Sequence, residues 1–260
     1  MSTPMQIGFS QRVQLDWLEH TAALVLAGQT REQIEIALQT CLHDKLSIGG
    51  TAQRGNREKT ITILLKIWVS VPTWLQPLRD DGLGHLQHLP IADHLAVHWG
   101  MTMAAYPFFG AVAETVGRLM RLQSTCAAAQ IQRRIREYLG ERETVARAAR
   151  RILRCLVDWG VLQETRAKGV YRASPSRPVQ DKQLTAWLIE AALLAQGTDT
   201  GVLQTLLQTP ALFPFRLPRL YAADLGGQGR VEIFRQGLDE DMVTLLSGTL
   251  GGNTMNAEWG

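Results

Sequence analysis

Four arginines, Arg147, Arg150, Arg151 and Arg154, stand at i, i+3, i+4 and i+7 within the segment ETVARAARRILRCLVD. At 3.6 residues per turn that spacing lines them along one side of a helix. Val145, Ala149, Ile152, Leu153 and Leu156 fall on the opposite side, an apolar face suited to burial. A guanidinium keeps its charge at any physiological pH, and its planar fork of donors fits a phosphate or the O6/N7 edge of guanine. The chemistry of such a stripe is polyanion recognition, in which phosphates set position and base edges carry sequence. Between Arg118 and Arg172 there are thirteen Arg/Lys and five Asp/Glu, a local balance of +8, so the rest of the chain carries −5 within a total of +3. A basic block in an otherwise slightly acidic chain points to a polyanion-facing surface. A merely solvated helix face is the competing reading. One opposing acid nearby, Asp158, against four arginines disfavours it.

The residues after the stripe extend this surface. Trp159-Gly160-Val161-Leu162 closes the helix, and Val161–Glu164 and Val170–Ala173 read as strand, turn and strand around Ala167-Lys168-Gly169. Arg166, Lys168 and Arg172 fall on or beside that turn, and Arg133, Arg134 and Arg136 lie on the preceding helix, expected over 126–139. A basic helix ending at a glycine and followed by a two-stranded hairpin resembles the winged-helix superfamily, over about residues 126–174. That resemblance implies a recognition helix in the major groove of double-stranded DNA and a wing on flanking phosphates. Other members of the superfamily dock proteins instead.

A second basic group, Arg54, Arg57 and Lys59, lies in a Gly-rich loop at a helix start, where a phosphate would meet backbone N–H groups. It is not a P-loop. Gly50-x4-Gly55 runs into Asn56-Arg57, so the phosphate-binding lysine and the magnesium hydroxyl are both missing. His85, His88, His94 and His98 cluster with Asp93, and His94 and His98 share a helix face. No HExxH and no nearby cysteine accompany them, so packed or surface histidines are expected rather than a metal site. Cys41, Cys126 and Cys155 form no CxxC pair and read as small buried hydrophobes. There is no GxSxG, no Ser/His/Asp set and no Rossmann glycine pattern. The chain is therefore expected to lack a catalytic centre and a cofactor.

The elements that must position these residues are mainly helical. An amphipathic helix over 12–27 ends at Gly28, and Thr30 with Gln33 forms a capping box for the next. Asn56 reads as the N-cap of a third helix, and DDGLGHLQHLP reads as a linker. Leu95 to Ala113 carries no Asp, Glu, Lys or Arg, but Pro107 interrupts it, so two buried helices are expected rather than a membrane span. Helices follow over 126–139, 143–159, 182–196 and 202–207. SPSRP reads as a linker, and LFPFRLPRLY as an irregular, exposed docking patch. A hairpin turning at Gly226–Gly229, a last helix over Leu238–Leu246 and a disordered tail complete the chain. The expected fold is a helical domain (1–123), a winged helix-turn-helix domain with a small β-hairpin wing (124–174) and an α+β C-terminal segment (175–260).

LVLAGQTREQIEIAL with RGNREKT after it, MAAYPFFGAVAETVGRL, and the segment ending LRCLVDWGVL together resemble, in layout, the BrxA family of bacterial BREX phage-defence systems. The resemblance implies a helical, winged-helix, DNA-binding accessory protein without a catalytic centre. Its partners would be other subunits of a defence complex: larger ATPase, methyltransferase and phosphatase-like proteins. The N-terminal residues lack the apolar core of a signal peptide, so a cytoplasmic location away from membranes is expected.

Overall fold

Helix α5 (Ile91–Ala105) lies at the centre of the computed structural model, which describes residues 7–46, 55–225, 230–236 and 240–246. Every side chain from His94 to Ala105 is buried, as expected of a helix apolar on all sides. Around it pack α1 (Leu15–Leu26), α3 (Asn56–Trp68) and α4 (Gln76–His88), while α2 (Arg31–Cys41) rests on α1 and α3. The capping box at α2 forms as expected, with the Gln33 N–H donating to Thr30 Oγ1 at 3.3 Å and the Thr30 N–H to Gln33 Oε1 at 2.8 Å. The N-cap of α3 is Gly55 rather than Asn56; Glu58 accepts the Gly55 N–H, and Asn56 accepts instead from Gln11. Pro107 occupies the first position of α6 (Pro107–Leu122), where its missing N–H costs nothing, so the uncharged run divides into two helices there. Among the described residues no single helix is long and apolar enough to cross a membrane.

After α6 the order is β1 (Cys126–Ala127), α7 (Ala128–Leu139), α8 (Glu143–Asp158), β2 (Leu162–Glu164) and β3 (Val170–Ala173). The strands form one antiparallel sheet in the order β1-β3-β2, with Cys126 opposite Tyr171 and Gln163 opposite Arg172. Cys126 was expected to begin the helix. It starts a strand instead, because β3 offers it an open edge, and α7 begins two residues later. Gly160, at φ +68°, turns the chain out of α8 into the hairpin.

The SPSRP segment is not a free linker. Its β4 (Arg177–Pro178) pairs in parallel with β6 (Phe215–Arg216). Helix α9 (Lys182–Gln196), capped by Asp181 Oδ1 on the Leu184 N–H at 2.7 Å, packs against α4, α5 and α6. β5 (Thr200–Val202) and α10 (Leu203–Leu207) follow. The last two strands, β7 (Val231–Gln236) and β8 (Glu240–Leu245), complete a sheet in the order β5-β8-β7. The expected final helix over 238–246 is therefore a strand. Its inward side chains Val243 and Leu245 alternate with the less buried Met242 and Thr244 and oppose Ile233 and Val231, a period of two. The two strands pair from Val231 opposite Leu245 to Gln236 opposite Glu240. Gly226–Gly229, Arg54 and the tail 251–260 lie outside the described residues. Arg230 ties this sheet to the helices: it donates to buried Glu190 of α9 at 2.8 and 3.1 Å and to Asp81 of α4 at 2.8 Å. Burial pushes the Glu190 carboxyl up, and the bonds from Arg230 oppose that.

DDGLGHLQHLP, expected as a linker, is mostly helix α4, and the reason is packing. The Trp187 indole donates to the Leu78 carbonyl at 2.9 Å, and its ring occupies the space that side chains on Gly82 and Gly100 would fill. A Cβ on Gly82 would lie 2.9 Å from Trp187 Cζ2, and one on Gly100 would come closer still. Gly84, two residues further on, meets nothing within 4 Å. Gly100→Ala is therefore expected to lower stability by about 1–3 kcal/mol through overpacking. Gly84→Ala should raise it by roughly 0.5–1 kcal/mol through helix propensity. Thermal unfolding of both variants beside the wild type checks the pair, and shifts of the same sign would contradict it.

Candidate nucleic-acid interface

Helix α8 buries Val145, Ala149, Ile152, Leu153 and Leu156 against α6, α7 and β2, and leaves Arg147, Arg150, Arg151 and Arg154 exposed along its outer side. Burial of a large aliphatic side chain stabilises by about 1.5–3 kcal/mol, so the apolar face sets the rotation of the helix and the arginines follow. Arg147 faces Glu143 at 3.5 Å, a weak i, i+4 pair. Arg150, Arg151 and Arg154 have no ion pair among the described residues.

The C-terminal end of α8 is held by a segment far away in sequence. The Trp159 indole donates to the Val13 carbonyl at 3.0 Å, and the Val13 N–H points at Cys155 Sγ at 3.2 Å. Arg12 forms a two-bond pair with Asp158. An acid in the last turn opposes the helix dipole, and Arg12 offsets it. Trp159 also packs on Phe109 and Trp99, with ring centres 5.5 and 6.1 Å apart. Sequence reasoning missed this latch. Its one signal was the aspartate at a helix end that should prefer a cation. Burial pushes the Cys155 thiol up to about 12 and Cys126 up to about 11, so both are inert hydrophobes as expected.

Beside α8, the β2–β3 turn leaves Arg166 and Lys168 exposed, and the Arg172 guanidinium donates to Gln163 across the strands at 2.9 Å. On α7, Arg133 and Arg134 are exposed and share one carboxylate, Glu137, at 3.7 and 3.5 Å. Arg136 is half-buried, with its Nε enclosed and unbonded, so it adds less to the outer surface. The structure therefore brings the stripe, the hairpin and α7 together on one unit. Arg57 and Lys59 stand apart from it, half-buried on α3, which packs on α1, α2 and α5.

The histidines do other work. His98 Nε2–H donates to Glu19 Oε2 at 2.7 Å, and His94 Nδ1 faces Glu19 Oε1 at 2.9 Å while its Nε2 faces the Leu89 carbonyl at 3.1 Å. His88 Nδ1 meets the Gly84 carbonyl, and His85 packs edge-on against Trp187. Among the described residues no group of three or more His, Cys, Asp or Glu has the arrangement to hold a metal ion. The exposed docking patch expected at LFPFRLPRLY is also absent. Leu212, Phe215 and Leu220 are buried, and Phe213 and Phe215 pack edge-to-face on Trp99. No protein-family model matches the chain, and comparison with curated proteins and with solved structures gives no match either.

The bonds from His98 first, and then from His94, hold the Glu19 carboxyl down at about 2, against an ordinary 4.5, despite the opposing effect of burial. A folded-state value below the unfolded one means that this contribution is complete above about 4.5 and is lost as pH falls toward about 2. Glu19→Gln should therefore lower the Tm most above pH 4.5, with the difference from wild type closing as pH falls toward 2. Thermal unfolding at stepped pH tests this, and a difference that stays constant across the range would contradict it.

Proposed function

We propose that this chain binds duplex DNA through a winged helix-turn-helix over residues 124–174, with α8 as recognition helix and the β2–β3 turn as wing. The order of elements within it supports the reading: a strand (β1), two helices (α7, α8), then a hairpin whose second strand is central in the sheet, with α6 packed alongside from outside that range. The observation that carries it is the outer face of α8, where four exposed arginines stand opposite a fully buried apolar face and three of them have no ion pair among the described residues. Arg147, Arg150, Arg151 and Arg154 lie along the groove, and Arg166, Lys168 and Arg172 meet the flanking phosphates, with Arg133 and Arg134 at the margin. The resemblance of the sequence in layout to the BrxA family extends the proposal to an accessory, non-catalytic role beside larger phage-defence subunits, tested by co-purification with the products of neighbouring genes.

Fluorescence-anisotropy binding to a mixed-sequence duplex across a salt series tests the DNA reading. Each phosphate contact contributes a slope of roughly −0.9 in log K against log salt. Replacing Arg147, Arg150, Arg151 and Arg154 together by Ala should flatten that slope by roughly 3–4 and weaken binding across all sequences. The variant should remain folded, because the side chains are exposed and Ala is the better helix former. Unchanged affinity and unchanged slope would overturn the proposal.

A further inference from the structure

A cavity of ≈ 650 Å³ opens between α6, α7 and α9, away from the arginine stripe. Its size lies within the range of small-molecule sites, about 300–1,000 Å³, and clefts between packed helices are a common place for them. The space exists because the helices meet it with short side chains: Gly110 and Ala111 from α6, Ala192 and Ala195 from α9. Gly110 is itself closely covered, since a Cβ there would lie 2.9 Å from Met103 Cγ, so the floor is tight and apolar. At the rim Leu122 is 84% exposed and Tyr138 77% exposed, extending the apolar surface outward.

The charges at the mouth define the other end of an occupant. Arg118 Nη2 donates to Glu114 Oε1 at 2.5 Å, so that pair is internally neutral. Arg134 also lines the cavity, and its one acid, Glu137, stands at 3.5 Å and is shared with Arg133 at 3.7 Å. Those separations exceed the 2.7–2.9 Å of a full charge-assisted bond, and two arginines on one carboxylate leave a single positive charge. An apolar pocket whose lip carries a net positive charge, two arginines against one carboxylate, complements a monoanion with an apolar body. We propose that this cavity binds an amphipathic carboxylate, its chain among Gly110, Ala111, Ala192 and Ala195 and its head group on Arg134. The site shares α7 and Arg134 with the margin of the proposed DNA surface, so it is tested in the absence of DNA.

Calorimetric titration with sodium decanoate, and with decan-1-ol as the neutral chain of equal length, tests the site without DNA. Decanoate should bind the wild type at least tenfold more tightly than decanol. Ala111→Phe fills the cavity and should abolish decanoate binding; Ala195→Phe does so from the opposite wall should the first variant fold poorly. Arg134→Gln should weaken decanoate about tenfold and leave decanol unchanged. Equal binding of decanoate to wild type and to a folded, filled variant would overturn the proposal, as would equal affinity for acid and alcohol, or no binding at all. So would a wild-type dimer in sedimentation velocity that the filled variants dissolve, because a second copy would then be the occupant.

Discussion

A helix that is apolar on every side obliges its neighbours to present apolar faces, and α5 imposes that condition on this chain. From His94 onward it has no solvated side, so α1, α3, α4, α6 and α9 enclose it and are placed by it. The polar exceptions within α5 then fix details. His98 must find an acceptor for its Nε2–H in a buried setting, and Glu19 supplies one, which sets α1 against α5. Trp99 must find another, and the Ala211 carbonyl at 3.1 Å draws the C-terminal segment over the same core. Phe213, Phe215 and Trp159 all pack edge-to-face against the Trp99 ring. The end of α8 is thus anchored to the same aromatic cluster that holds the C-terminal segment.

That anchoring explains how a surface stripe can be held in a defined orientation by residues that are not on the surface. Exposed ion pairs contribute about 0–1 kcal/mol each and cannot orient a helix against the burial of five aliphatic side chains. The arginines of α8 are accordingly not structural. They are positioned by Val145, Ala149, Ile152, Leu153 and Leu156 on the inner side and by Arg12, Val13 and Trp159 at the helix end. Long, charged side chains with no structural task and few partners are what a charged ligand requires.

The local amphipathic elements were legible in the sequence because their patterns are strong. The apolar and basic sides of α8, the break at Pro107, the Thr30–Gln33 box and the span Lys182–Gln196 all correspond to observed elements. Most of the failures share one cause: the deciding partner lay far away in sequence. Gly82 and Gly84 read as breaks, but Gly82 makes room for Trp187, more than a hundred positions later. Cys126 reads as helix until β3 is there to pair with it. Residues 240–245 are too short for periodicity alone to choose between helix and strand, and β7 and β5 decide. LFPFRLPRLY reads as an exposed patch only if Trp99 is not known to face it. The cavity between α6, α7 and α9 could not be read at all, because small residues give no signal until three helices converge.

Where charge is placed decides more here than its total. At physiological salt the screening length is about 8 Å, while successive turns of a helix are about 5.4 Å apart. A phosphate seated on Arg150 therefore senses Arg147, Arg151 and Arg154 strongly, and charges well beyond that distance hardly at all. Neighbouring arginines of α8 act within such a radius of one another, whereas the −5 outside residues 118–172 is dispersed over the rest of the chain. At contact the local excess governs affinity. At low salt, where screening relaxes to tens of ångströms, the acidic remainder disfavours approach by the other faces. On the proposed reading, the same separation of charge that leaves a net of only +3 gives a polyanion one preferred side of approach.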